Sequence, residues 1–330
     1  MPANLPPHYF EAEQRYREAK TPAEKIAALE EMLTIMPKHK GTDKLRASLR
    51  QKISKLKNQA QKKKATTSKR DPASAIEKEG AGRLVITGMP NVGKSSLVRA
   101  VTNATPEVAD FPHTTWKPVP GMMPFENIQI QVVDTPPLNP DYNEPWLIEL
   151  MKRSDLLGIM VDLHADPIQQ LEMSLDILIK YKVIDPAYLE GRKPEDERKR
   201  KPIPIIIANK NDNQEDDEIF EIFCELTDVP LPKVNISSKT GYNLNAFSRT
   251  IFDLLGVIRV YSKAPGKEPD LNAPFILPKN STLLDFAGKI HKDFVKKLKY
   301  AKIWGKKVFD GQMVQRSHVL EDGDIVEIHI

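Results

Sequence analysis

Residues 83–102 read RLVITGMPNVGKSSLVRAVT, and the middle of this stretch decides the fold. Gly88 to Ser95 (GMPNVGKS) fits the pattern GxxxxGK[ST], with a branched, strand-like run over Arg83–Thr87 before it and a helical pattern over Ser95–Thr102 after it. The glycines let successive backbone N–H groups turn inward and cradle phosphate at a helix N-terminus. The expected cradle is Gly88, Pro90, Asn91, Val92, Gly93, Lys94, Ser95 and Ser96. Lys94 is expected to reach the β- and γ-phosphates, and the Ser95 hydroxyl to bind Mg²⁺. Four fixed positions of this kind recur by chance in roughly one window in 80,000, so a stray glycine turn is a poor account of them.

Working outward, residues 81–256 alternate strand-like and helix-like runs. Arg83–Thr87, Ile128–Val133, Leu156–Val161, Ile203–Ala208 and Val234–Ile236 are rich in branched residues. Helical patterns cover Ser95–Thr102, Ile168–Ile179, Glu215–Leu226 and Leu244–Leu255. This alternation predicts an α/β domain: a doubly wound, mostly parallel sheet with ligand chemistry at the C-terminal ends of its strands. The charged segment Pro186–Pro204 reads as an exposed loop.

Two further groups fall in the order such a site requires. Asn209-Lys210-Asn211-Asp212 follows the strand ending IIIAN. A carboxylate at Asp212 can accept from guanine N1–H and the 2-amino group. Adenine offers neither donor, and leaving the carboxylate poorly paired costs ~1–3 kcal/mol or more. That asymmetry argues for a guanine nucleotide, GTP or GDP, and against ATP. The Lys210 stem should cover the base and Asn209 tie loops together, while Ser237-Ser238-Lys239 sits where a backbone N–H would meet guanine O6. Between loop and base reader lie Phe111-Pro-His-Thr114-Thr115, offering a threonine hydroxyl to Mg²⁺, and Asp134, ending IQIQVVD, as the water-mediated Mg²⁺ partner.

Composition bounds the rest. The 330 residues exceed one small core, and 40% hydrophobic residues can fill several. A lone cysteine, Cys224, excludes an internal disulfide framework and a multi-cysteine metal site. No basic-then-apolar leader opens the sequence, and the longest aliphatic stretch, Ile203–Ala208, is far short of the ~20 residues a membrane span needs. A cytoplasmic protein is expected. Net charge is +4, unevenly spread: residues 38–70 hold 13 Lys or Arg and one acid, Asp43. Residues 211–230 are the reverse, with Asp212, Asp216, Asp217, Asp228 and four glutamates. The basic end points to an anionic partner, nucleic acid foremost.

Residues 1–80 read as a basic helical region and linker. Thr21-Pro22-Ala23-Glu24 caps a stripe of Ile26, Leu29 and Leu33, and a second stripe runs through Leu45, Leu49, Ile53 and Leu56. Residues 257–330 mix extended pieces with one basic helix near Leu283–Leu298. Within them, residues 289–307 hold eight lysines against Asp293, with Phe294, Tyr300 and Trp304 interleaved. The lysines suit RNA phosphates; Phe294 and Trp304 are expected in the core.

With GMPNVGKS, NKND and SSK quoted, and with DKLRASLRQKISKLK before them and IRVYSKAPGKEPDL after, the chain resembles the Obg superfamily. Within it, the developmentally regulated GTP-binding proteins are most similar. The tail, DFAGKIHKDFVKKLKYAKIWG to VLEDGDIVEIHI, is similar to a TGS domain, a β-grasp fold also found in threonyl-tRNA synthetases. The resemblance implies a P-loop G domain over 81–256, an N-terminal helical hairpin and a C-terminal TGS domain over 257–330. It also implies a GTPase acting with ribosomal RNA or tRNA in translation or ribosome assembly. The PNxGKS form of the loop implies that Asn91 helps hold K⁺ near the phosphates, so Lys94, Thr114, Thr115 and Asn91 are the expected catalytic residues.

Three departures stand out. The family carries DxxG where this chain has Asp134-Thr135-Pro136-Pro137, and proline has no N–H for the γ-phosphate. Leu138 stands where a water-orienting glutamine would, so intrinsic hydrolysis should be slow. The alternative is a GTP-binding scaffold that hydrolyses little or nothing. The region between Asp162 and Ile203 is also shorter than the family's insertion there.

Overall fold

The computed structural model describes residues 14–16, 22–35, 49, 76–102, 120–192 and 201–329. The chain divides into two compact units, Met1–Asp71 and Pro72–Ile330. In the first, helix α1 (Pro22–Ile35) opens at the expected proline and buries Ala28, Leu29 and Met32. The proposed cap Thr21 and the second stripe lie outside the described residues, Leu49 apart.

The second unit holds two sheets. The first has six strands: β1 (Arg83–Gly88), β2 (Pro120–Phe125), β3 (Ile128–Asp134), β4 (Leu156–Asp162), β5 (Ile203–Asn209) and β6 (Lys233–Asn235). Their order is β2-β3-β1-β4-β5-β6. All neighbours pair in parallel except β2, which is antiparallel to β3. Strands β1 and β4 are buried along their whole length, the signature of a sheet covered on both faces.

Alternation sorts the side chains between two cores. Val85, Val133, Leu157, Ile159 and Ile206 pack with α3 (Pro145–Lys152), α4 (Pro167–Lys180) and α5 (Gln214–Leu226). Leu84, Ile86, Val132, Met160 and Ile207 pack with α2 (Lys94–Val101) and α6 (Leu244–Leu255). The doubly wound layering is as the sequence implied. A short 3₁₀ turn, Pro186–Glu190, falls in the segment read as a loop.

Strand β2 escaped the sequence reading because PGMMPF carries two prolines. They are tolerated because β2 is an edge strand, where an N–H directed away from the sheet is not needed.

The second sheet has order β10-β9-β11-β7-β8, from β7 (Val257–Ser262), β8 (Phe275–Pro278), β9 (Tyr300–Trp304), β10 (Gln312–Val314) and β11 (Asp324–His329). β7 and β11 are parallel and the other pairs antiparallel. Helix α7 (Leu283–Ile290) starts in a capping box between Thr282 and Asp285 and closes a small core with Leu283, Phe286 and Ala287.

Two expectations are corrected here. The single helix over Leu283–Leu298 is two, α7 and α8 (Lys292–Lys297). They break at His291, whose backbone is extended (φ −160°, ψ 140°) and whose Nδ1 accepts from the Asp293 N–H at 3.2 Å. Trp304 is not in the core. Strand alternation sends Ala301 and Ile303 inward, leaving Tyr300, Lys302 and Trp304 on the opposite face, with the Lys263 ammonium 4.7 Å from the Trp304 ring centre. Phe294 does pack against the core.

Candidate nucleotide site

The described residues expected at the site stand at or just after the C-terminal ends of β1, β3, β5 and β6, on one end of the sheet. β1 ends at Gly88, where any larger residue is barred: a Cβ would lie 2.4 Å from the Met160 carbonyl oxygen. The loop passes through Asn91 in the left-handed region (φ 65°) and Gly93 (φ 98°) into α2. A Cβ on Gly93 would meet Asn209 Nδ2 at 2.3 Å, so the loop and the end of β5 touch directly. Pro90, Asn91, Gly93, Lys94, Ser95 and Ser96 line a cleft of about 430 Å³ together with Thr135 and Pro137. Val92 points the other way, fully buried in the core.

Lys94 folds back over the loop. Its Nζ donates to the carbonyls of Gly88 (3.1 Å) and Met89 (2.8 Å). Burial pushes its ammonium down to about 8, with the nearby Asp134 carboxylate acting the other way. Asp134 is itself raised, chiefly by burial, although Ser95 and Lys94 oppose the shift.

The Ser95 hydroxyl donates to Asp134 Oδ2 at 2.5 Å, while Asp134 Oδ1 is buried with no protein partner. A buried carboxylate oxygen without a protein partner beside a hydroxyl is a pair of hard-oxygen donors, and the two residues fit Mg²⁺. Thr114 and Thr115 lie outside the described residues.

After Asp134 the chain spends its donors internally. The Thr135 hydroxyl donates to the Ile86 carbonyl at 2.7 Å. Pro136 and Pro137 have no N–H. The Leu138 N–H donates to the Gly88 carbonyl at 3.0 Å and its side chain is buried in the core. The Asn139 N–H donates to Asn143 Oδ1.

On the other side, Asn209 bonds the Val92 carbonyl through Nδ2 (2.9 Å) and receives the amide and hydroxyl of Ser238 at Oδ1 (3.0 and 2.8 Å). It ties three loops together, as expected. Asp212 accepts from the Ser237 hydroxyl (2.5 Å) and Lys239 Nζ (3.4 Å), and the Ser237 bond holds its carboxyl below the usual range. Lys210, also left-handed (φ 71°), pairs with the Asp162 carboxylate, and its carbonyl meets His164 Nε2 at 3.0 Å.

The sequence reading passed over Asp216, which is buried and accepts from the amides of Asp212 (2.7 Å) and Asn213 (3.1 Å). Its signal was present as the Asn213-x-x-Asp216 capping box opening α5. Asp162 carried no comparable signal, since only the meeting of strand ends brings it beside Lys210.

Residues 83–194 match the family of 50S ribosome-binding GTPases, and residues 258–330 match the TGS domain. An uncharacterized GTP-binding protein of Methanocaldococcus jannaschii is 29% identical over 93% of this chain and 92% of its own. The developmentally regulated G-protein 1 of Arabidopsis thaliana is 26% identical over 92% of this chain and 90% of its own. Over most of its length the chain is similar to GTP-binding proteins of the DRG/Obg-like GTPase type, and it carries a TGS domain. The Xenopus laevis developmentally regulated GTP-binding protein 1 is a further relative, 28% identical over 77% of this chain and 83% of its own. No helix among the described residues is long and apolar enough to cross a membrane.

Proposed function

We propose that this protein binds GTP with Mg²⁺, hydrolyses it slowly with K⁺ stimulation, and acts in the cytoplasm as an RNA- or ribosome-associated switch. The observation that carries the reading is that one end of the sheet holds a buried ammonium, Lys94, and an unpaired carboxylate oxygen, Asp134 Oδ1. The same end holds the oriented carboxylate of Asp212. In this reading residues 81–256 are the G domain, 257–330 the TGS domain, and 1–80 a basic helical region and linker.

Lys94 exchanges its bonds to the Gly88 and Met89 carbonyls for the β- and γ-phosphates, and the loop from Gly88 to Ser96 supplies the amide cradle. Ser95 and Asp134, joined by Thr114 or Thr115, would hold Mg²⁺, which when bound neutralises charge on the β- and γ-oxygens. Asn91, exposed on the cleft wall, is the candidate K⁺ ligand. Asp212 reads guanine, Lys210 covers it, and Ser237, Ser238 and Lys239 close the far edge. Leu138, buried and apolar, cannot orient water, which supports a low intrinsic rate.

The RNA part of the reading is supported by the exposed lysines of residues 289–307 and by Tyr300, whose ring stacks 4.6 Å from His329 beside Lys302 and Trp304.

A second reading, a GTP-binding scaffold with little switching, is favoured by the donor inventory after Asp134. Pro136 and Pro137 have no N–H to offer a γ-phosphate, and those of Leu138 and Asn139 are bonded within the protein. Single-turnover hydrolysis in KCl against NaCl, with ATP as control, separates the two. Potassium-stimulated GTP turnover lost in Asn91→Ala and Lys94→Ala supports the switch. Tight GTP binding without turnover in either salt supports the scaffold.

A further inference from the structure

The acidic stretch 211–230 does more than hold the base-reading loop, and α5 displays the remainder of it. The helix carries Glu215, Asp216, Asp217, Glu218, Glu221 and Glu225 and no lysine or arginine. Asp216 supports the loop from within, and Asp217 is taken by Asn211, Asn235 and Tyr242. The four glutamates are all exposed.

Phe223 turns inward and fills the core, but Ile219, Ile222 and Leu226 face water, 36%, 55% and 64% exposed. Their i, i+3, i+7 spacing makes one row along the helix. Glu218, Glu221 and Glu225 each precede a member of that row and form a second row beside it. Beyond Leu226 the chain enters a shallow groove lined by Leu189, Glu190, Thr227, Asp228, Val229 and Pro230, which adds two more acids beside the row. Single exposed aliphatics are ordinary; a helical row of them flanked by charge of one sign marks an interaction surface.

We propose that the outer face of α5 docks a basic amphipathic helix of a protein partner. The apolar row matches the i, i+3, i+7 anchors of such a helix, and the glutamate row meets its flanking lysines or arginines. The same charge repels nucleic acid and opposes pairing with a second α5, which leaves a basic protein segment as the complementary occupant. This surface is separate from the lysine-rich TGS face and from the nucleotide cleft, and the proposal stands whether or not the protein hydrolyses GTP.

The test uses the full chain and a labelled helical peptide with leucines at the matching spacing and lysines on both flanks. The same peptide with glutamates in place of lysines is the control. Fluorescence anisotropy should show saturable binding of the lysine peptide below about 0.1 mM. Binding should weaken about tenfold or more in Ile222→Ser/Leu226→Ser and, separately, in Glu218→Lys/Glu221→Lys/Glu225→Lys. It should also fall as salt rises. Circular dichroism and GDP binding should match wild type in both variants, since every changed residue is exposed. Absence of binding, equal binding of the glutamate peptide, or affinity unchanged in both variants would overturn the proposal. So would sedimentation velocity showing self-association of the wild type that the Ile222/Leu226 variant abolishes, which would assign the row to a second copy.

Discussion

Lys94 keeps its charge in a nearly dry place, and the pH dependence of nucleotide binding should report it. Its folded value, about 8, lies below the ordinary 10.5 because burial outweighs the attraction of Asp134. The free protein therefore carries a stability cost from this group that is fully present below pH 8 and is relieved as pH rises from 8 towards 10.5. Bound phosphates favour the ammonium, so binding above pH 8 must take up a proton. GDP affinity is then expected to be flat from about pH 6.5 to 7.5 and to fall by up to about tenfold per pH unit above 8. Calorimetry in buffers of different ionisation enthalpy should show the matching proton uptake. An affinity flat to about pH 9.5 would remove Lys94 as the group that meets the phosphates.

At the scale of elements, the segment from β3 to α3 is a braced loop. Asn143 is 5% exposed, accepts the Asn139 amide at 3.1 Å and donates back to the Asn139 carbonyl at 2.6 Å. Asn143→Ala removes both bonds and strands two backbone groups, and should cost about 1–3 kcal/mol in urea unfolding. The prolines before it have a separate effect. Pro137→Gly restores an N–H on the cleft wall, which Pro137 lines opposite the phosphate loop. That variant should favour a non-hydrolysable GTP analogue over GDP by about 1–2 kcal/mol relative to wild type, one charge-assisted hydrogen bond's worth. Unchanged relative affinities, measured by competition, would mean that the β3–α3 loop stays away from the γ-phosphate whatever residue stands at 137.

At the scale of the whole second unit, one buried arginine joins the two sheets. Arg259 on β7 makes a two-pronged pair with Asp322 (3.0 and 2.7 Å) and reaches Glu126 and Asn127 at the turn between β2 and β3. Its guanidinium lies 5.2 Å from the Phe252 ring, itself stacked on Phe125. Asn127 adds a bond to the Tyr261 hydroxyl at 2.6 Å. Arg259→Met keeps the stem but removes the fork, and should cost about 1–3 kcal/mol. Hydrogen exchange should rise at 125–128 and 321–324 while the nucleotide cleft stays protected. Faster exchange throughout both sheets would instead mean that Arg259 supports global folding.

The sequence by itself determined the α/β fold, the phosphate-loop turn and the NKND segment after β5, and its resemblance gave the TGS tail. Each is encoded locally: glycines where backbones touch, a lysine and serine at a helix start, and branched runs buried on both faces. It could not determine β2, because its prolines are acceptable only at an edge that exists once the sheet is assembled. Nor could it place Trp304, whose side was settled by the register of β9 against β11, or separate α7 from α8 at His291. The roles of Asp162, Asp216 and Arg259 were decided by the tertiary structure alone. A charge shows no preference along the chain for the distant carboxylate, amide or ring that folding sets beside it, and only that proximity gives it a task.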